Sequence, residues 1–199
     1  MANRRSKSGF QWVALPIAAA LGWGAWTAGS ALLGDDPEAE GTRYVVNHVW
    51  VERLPQTPRD MIGHLALIDH REGRLGGGGR SSRWRHFVEL FLWKLDGHRL
   101  DLFFPQEEQH AKVKVKTYGC DAPHPFDICM DIEAGRRTVT YYSNREWEID
   151  PGHVEDSLAE LSRAHPELAG AFELDTAAMP EGLDVDAIDW TETDALPLR

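Results

Sequence analysis

The 199-residue chain predicts a mainly β fold: an antiparallel meander forming a small barrel or a strongly bent sheet, with a C-terminal helix after it and an N-terminal signal or anchor helix before it. Three observations predict it. Seven runs rich in β-branched and aromatic residues follow one another between positions 44 and 143, each bounded by Gly, Pro, Asp or Asn. Connections 96–98 and 133–136 are hairpin-length turns carrying the glycine that a left-handed position favours, so successive strands pair antiparallel. After Pro151 the apolar residues take up helical spacing.

The first segment, residues 1–34, is of a different kind. Arg4, Arg5 and Lys7 precede an uncharged apolar run over 12–34, the pattern of a targeting or membrane segment. Small residues at 27–31 offer a processing site for a cleaved signal peptide. At about 1.5 Å per residue the run also reaches the roughly 30 Å of a hydrocarbon core, and its length favours a retained transmembrane anchor. In both cases the basic head stays in the cytoplasm and the remainder is exported, to the periplasm or cell envelope, tethered at the inner membrane if the helix is uncleaved. Residues 35–43 are short, charged and turn-prone, and read as a linker. The β domain is expected over 44–150, a helical segment over 151–173, and an acidic, partly disordered tail over 174–199.

Within the β domain the strands are expected at 44–54, 61–70, 83–95, 99–104, 111–118, 127–132 and 137–143, with 146–149 as a short eighth. Residues 71–82, with four consecutive glycines at 76–79, read as a flexible loop; a phosphate cradle would need a following Lys-Ser or Lys-Thr and a helix. Run 83–95 is apolar on both faces, Phe87, Phe91, Trp93 and Leu95 on one and Trp84, Val88, Leu90 and Leu92 on the other. A strand covered on both sides is thereby expected at the centre of the fold, under the C-terminal helix or around a ligand. Lys112, Lys114 and Lys116 form a wet face opposite Val113, Val115 and Thr117, and a lysine row is how an edge strand is protected. In the helical segment Val154, Leu158 and Leu161 share a face, Glu155 and Asp156 lie in the first turn, and Pro166 divides it into two short helices.

Charge and reactive side chains narrow the function classes. Residues 43–149 hold 16 Lys+Arg against 15 Asp+Glu, whereas 150–199 hold two against 13. A near-neutral body with an acidic end carries no basic stripe for phosphates, which excludes nucleic acid as a partner. Cys120 and Cys129 stand near the ends of two strand arms in an exported chain, and are read as a disulfide. A zinc site from Cys120, His124 and Cys129 lacks a fourth ligand, and a redox pair would be Cys-x-x-Cys. No two of the nine histidines are spaced two apart, so no strand presents a His-x-His ligand pair; His48 with His64 is the cross-strand combination left open. Ser81 and Ser82 precede His86 without a Gly-x-Ser-x-Gly elbow. Glu107 and Glu108 face opposite ways in an extended chain and read as solvated. Asp184, Asp186 and Asp189 lack the EF-hand pattern. No cofactor motif is present, and no metal is expected.

An up-and-down meander of about eight strands followed by a helix, in an exported chain with one disulfide, resembles the lipocalin or calycin superfamily over residues 44–172. Trp50 stands on the first strand, but His48 occupies the place of the glycine in that family's Gly-x-Trp opening. The resemblance implies a small apolar ligand inside a barrel. Trp84, His86, Phe91 and Trp93 are the candidate lining residues. The first functional expectation is thus an exported, lipocalin-like barrel that binds a small apolar ligand or a lipid. The alternative is a non-catalytic envelope module whose acidic tail docks a protein partner. An enzyme, requiring His64 and His86 to converge with an acid, is the least favoured class.

Overall fold

The computed structural model describes residues 40–70, 73–173 and 188–190. The expected signal or anchor helix at 1–34, and the tail apart from 188–190, lie outside these residues. Among the described residues no helix is long and apolar enough to cross a membrane.

Eight strands close into one antiparallel barrel in chain order: β1 (Val49–Val51), β2 (Ile62–His70), β3 (Gly73–Ser81), β4 (His86–Asp96), β5 (Arg99–Phe104), β6 (Gln109–Gly119), β7 (Ile128–Ala134) and β8 (Arg137–Ser143). Helix α1 (Val154–Ala164) and a 3-10 turn (Ala169–Ala171) follow, separated at Pro166 as the sequence predicts. Gly97 and Gly135, with φ of 56° and 62°, make the two tight hairpin turns.

Two strand assignments change. Residues 73–81, expected as loop, form β3, which pairs with β2 over nine residue pairs and with β4 over seven. Glycine is required there by space. A Cβ on Gly76 would overlap the Phe91 ring, and one on Gly79 would overlap the carbonyl oxygen of Phe87. Missing side chains let β4 lie close against β3, a selection that strand propensity does not register. Conversely, 146–149 is not a strand. It contributes one isolated bridge, His48 to Glu148, and buries Trp147 and Ile149 against the barrel. The first run is also shorter than expected. Only Val49–Val51 pairs as strand, and residues 41–48 turn across one end of the barrel, with Asn47 at a φ of 59°.

The lysine face of β6 is a further correction. β6 has partners on both sides, β5 and β7, and a closed barrel leaves no edge to protect. Its lysines do point outward, opposite Asp101, Glu133 and Asp131 on the neighbouring strands.

The barrel has two apolar layers, inside and outside. The outer one sits where Val154, Leu158 and Leu161 of α1, with Leu168, Ala171 and Phe172, cover Val49, Val51, Ile62, Ala66 and Ile68 of β1 and β2. The C-terminal elements therefore pack on β1 to β3, not over β4 as the two-faced run 83–95 suggested. Cys120 and Cys129 form a disulfide with Cα atoms 5.2 Å apart, closing the β6–β7 connection. A loop of this size adds about 2.5 kcal/mol on the chain-entropy model. Such a bond belongs to an oxidising, non-cytoplasmic compartment. His124 stands exposed in that loop, its ring stacked on Tyr142 at 4.7 Å.

The glycine requirement is position-specific. Gly79→Ala is expected to cost about 2 to 3 kcal/mol, because backbone must move to admit the methyl. Gly78→Ala should change stability by less than about 1 kcal/mol, since its Cβ would meet only the end of Leu65 and the Phe91 ring at 3.3 and 3.5 Å besides a backbone oxygen at 3.5 Å. Urea denaturation of the two variants checks this, and equal costs would show that β3 is not selected for close approach.

Candidate functional site

Alternation along paired strands defines which side chains face the interior. Trp50 opposite Leu65, Leu65 opposite Gly78, Trp93 opposite Leu102, and Met130 opposite Tyr141 belong to the inward set. In an antiparallel meander the loops after β1, β3, β5 and β7 gather at one end, and those after β2, β4 and β6 at the other. The inward set divides along that axis.

Toward the end crossed by residues 41–48 the interior is filled. Val45, Trp50, Leu67, Phe91, Trp93, Leu100, Val115, Ile128 and Met130 pack into one buried cluster. Trp50 Nε1 donates to the Val45 carbonyl at 3.4 Å, so the crossing segment is fastened as a plug. Toward the opposite end the inward residues Leu65, Leu102, Phe104, Val113, Ile132 and Tyr141 are only half-buried. Phe87 and Val139, also at inward positions, are 64% and 48% exposed. The interior is therefore a cup, with a packed floor and apolar walls that meet solvent at one mouth. Gly78, inward and without a side chain, lets Leu65 and the Phe91 ring close over its place in the wall.

The wall carries few polar groups. Glu52 accepts from the Gly63 backbone N–H at 3.0 Å and pairs with Arg80 at 3.4 Å, and Arg80 also donates to the Met61 carbonyl. Burial, and then the negative charge of Glu52, push the Tyr141 phenol up, so it stays protonated. Burial and then Glu107 likewise raise Glu89 at the mouth. An uncharged phenol and a reluctant carboxyl on an otherwise apolar wall suit a ligand with one polar group and a hydrocarbon body.

The four candidate lining residues are dispersed. Phe91 and Trp93 lie in the floor of the cup, at 3% and 2% exposure. Trp84 stands exposed in the β3–β4 connection at the mouth. His86 occupies the outward face opposite Ser81, where its Nε2 lies 3.1 Å from Glu173. The half-buried wall residues from β5 to β8 were not singled out from sequence, although alternation places Val113 on the buried face of its strand.

The outward cluster around His86 is the second place where reactive side chains meet. His64 Nε2 is 2.8 Å from Ser81 Oγ, both fully buried. Ser82 Oγ accepts from the backbone N–H groups of Trp84 and Arg85. Gly170 of the C-terminal segment lies against the Ser82 carbonyl and the His86 ring, and a side chain there would collide with both. The serine that touches a histidine is thus on His64, while the acid is on His86. No carboxylate orients His64 among the described residues, and Ser81 is 1% exposed, so the arrangement lacks the relay and access of an acyl-transfer site. The adjoining cleft, between residues 55–62 and 167–171, measures about 210 Å³ with its open side included, and its walled part holds about one water. The cluster reads as a latch between the C-terminal segment and the barrel wall. His48 is elsewhere, buried between Tyr44 and Trp50 at the plugged end with Nδ1 3.4 Å from the Val46 carbonyl. No contact joins it to His64 among the described residues. Nor do three His, Cys, Asp or Glu side chains among them gather at metal-binding distance.

No family model, curated protein or solved structure matches the chain. The likeness to lipocalins is accordingly one of layout alone: a closed eight-stranded antiparallel barrel followed by a C-terminal helix.

His64 makes the latch sensitive to acid. Burial, and then neighbouring His86, push its pKa down from 6.5 to about 4. The unfolded chain binds this proton first, so His64 leaves stability unaffected at pH 7, lowers it as pH falls below about 6.5, and its destabilising effect levels off below about pH 4. Between pH 7 and 4.5 the contribution is about 2 kcal/mol. Urea denaturation at the two pH values should show His64→Gln losing about that much less than the parent; equal losses would contradict the assignment.

Proposed function

We propose that the protein is an exported, lipocalin-like binding module that holds a small apolar ligand or a lipid chain in the barrel. The reading rests on one observation: inward apolar side chains of β4 and β8, Phe87 and Val139, stand in solvent above a packed floor. Apolar wall left wet costs roughly 25 cal/mol per Å² relative to a covered one, which a hydrocarbon ligand would recover. Trp93 and Phe91 would form the surface on which the ligand ends, Trp84 would stand at the entrance, and Tyr141 would meet its polar group.

The place proposed for this activity is the periplasm or cell envelope. The disulfide supports an oxidising compartment. The apolar run at 12–34 supports export, with an inner-membrane tether if it is retained. Catalysis is not part of the proposal, because the buried serine–histidine contact lacks an orienting acid and an entry route.

Filling the cup tests the reading. Ile132→Trp and Val139→Trp should each lower the affinity for a fluorescent fatty-acid analogue about tenfold or more by occupying its space, while thermal unfolding moves by only a few degrees. Native mass spectrometry of the protein from its own cells should show a bound small molecule that both variants lack. Unchanged affinity in both, with the fold intact, would place binding elsewhere or nowhere.

A further inference from the structure

The surface around the mouth is itself unusual. Among the described residues the large apolar side chains left exposed are Leu54, Trp84, Phe87 and Val139, at 39%, 68%, 64% and 48%. All four belong to one end of the barrel. Leu54 is in the β1–β2 loop, Trp84 in the β3–β4 connection, Phe87 at the start of β4, and Val139 near the start of β8. A wet cup accounts for Phe87 and Val139. It does not account for Leu54 and Trp84, which sit on the loops outside it.

The same loops are rich in arginine. Arg59 stands in the first, Arg83 and Arg85 in the second, and Arg136 in the β7–β8 turn, all exposed. Arg53 and Arg80 are neutralised by Asp60 and Glu52. None of the other four has a carboxylate within salt-bridge distance among the described residues, and Arg83 lies over the exposed Trp84 ring at 5.2 Å. Acid is present at this end as well: Glu107 and Glu108 neighbour Glu89 on the β5–β6 side, exposed Glu133 stands near the β7–β8 turn, and Glu167 and Glu173 of the C-terminal segment lie toward Arg83 and His86.

Aromatic and aliphatic side chains that project among unpaired arginines fit one kind of surface well. Tryptophan settles at the depth of lipid headgroups, the aliphatic tips enter the acyl boundary, and guanidinium groups pair with phosphates in a fork geometry. We propose that the open rim of the barrel docks on an anionic lipid bilayer, setting the mouth of the cup against the membrane. Four arginines without a carboxylate partner among the described residues, set beside exposed aromatic and aliphatic tips, select this partner. A protein partner would have to match arginines on three separate loops, whereas a bilayer offers phosphate everywhere. Docking is a property of the rim and holds with or without a ligand in the cup, so it can fail while ligand binding stands, and the reverse.

The test uses the full chain, in which residues 12–34 are themselves expected to enter membranes, so the readout must be local. An environment-sensitive fluorophore is attached at Gln56→Cys, exposed in the β1–β2 loop of the rim between Leu54 and Arg59, and in a second sample at Ala122→Cys, in the disulfide-bridged loop at the plugged end. Both are mixed with vesicles of phosphatidylcholine alone or with 30% phosphatidylglycerol, a composition on the order of the anionic content that recruits basic segments. The rim probe should shift to the blue on the anionic vesicles only, and the plugged-end probe on neither. Combining Arg83→Glu, Arg85→Glu and Arg136→Glu should reduce the rim signal about tenfold or more at constant lipid, and Trp84→Ala should reduce it less, with circular dichroism unchanged. A rim probe silent on both vesicles, a shift equal on both, or a shift at the plugged end in its place would overturn the proposal. Failure of the triple charge reversal to weaken the signal would do the same.

Discussion

Closing the sheet on itself depends on a short seam. Val51 opposite Tyr142 is the single ladder pair between β1 and β8, and everything enclosed by the barrel relies on that junction holding. Buried side-chain and loop contacts extend it. Ser143 Oγ donates to the Val49 carbonyl at 2.8 Å, Val49 N–H donates to the Trp147 carbonyl at 3.3 Å, and Ile149 N–H to Asn47 at 2.8 Å. Chain following β8 therefore returns to fasten β1, and α1 then lies over the outside of β1 and β2. Were the seam to open, β1 and β8 would become edges with unpaired backbone groups, and the inward residues would lose their enclosure.

Enclosure alone does not make a cup. The difference between the two ends comes from what covers them. Residues 41–48 cross one end, with Val45 fully buried and the Trp50 indole bound to its carbonyl. At the other end the inward positions near the loops hold Phe87 and Val139 with no such cover among the described residues. Glycine in β3 acts at both levels. Gly76 yields its place to the Phe91 ring in the floor, and Gly78 lets Leu65 and the same ring close over its place in the wall. One strand thus sets how tightly both the floor and the wall beside it pack.

Much of this architecture was legible in the sequence, because it is written in alternation and turns. The strands over 61–70, 83–95, 99–104, 111–118, 127–132 and 137–143 carry their apolar periodicity openly, as do the helix and its break at Pro166. The glycine strand was hidden for a physical reason: its fitness lies in atoms that are absent, and a run of glycines looks the same in a loop. Residues 146–149 had the composition of a strand but are held by burial of Trp147 and Ile149 on the outer face. The site was less legible than the fold. Phe91 and Trp93 stand out as aromatics on one strand, whereas the walls come from one or two positions on each of five others. The rim arginines were masked by summation, since a body with 16 basic and 15 acidic residues between 43 and 149 does not reveal which arginines, drawn from three distant loops, are left without a carboxylate partner among the described residues.

The barrel interior is packed at one end and wet at the other. Paramagnetic broadening of methyl NMR signals by a soluble, uncharged gadolinium chelate reads this directly. Strong broadening is expected for Val139 and measurable broadening for Val113, Ile132 and Leu102, with Leu67, Leu100, Val115 and Ile128 protected. Protection of all eight would mean a filled interior with no cup, and broadening of both sets would mean a barrel that neither the plug nor the seam closes.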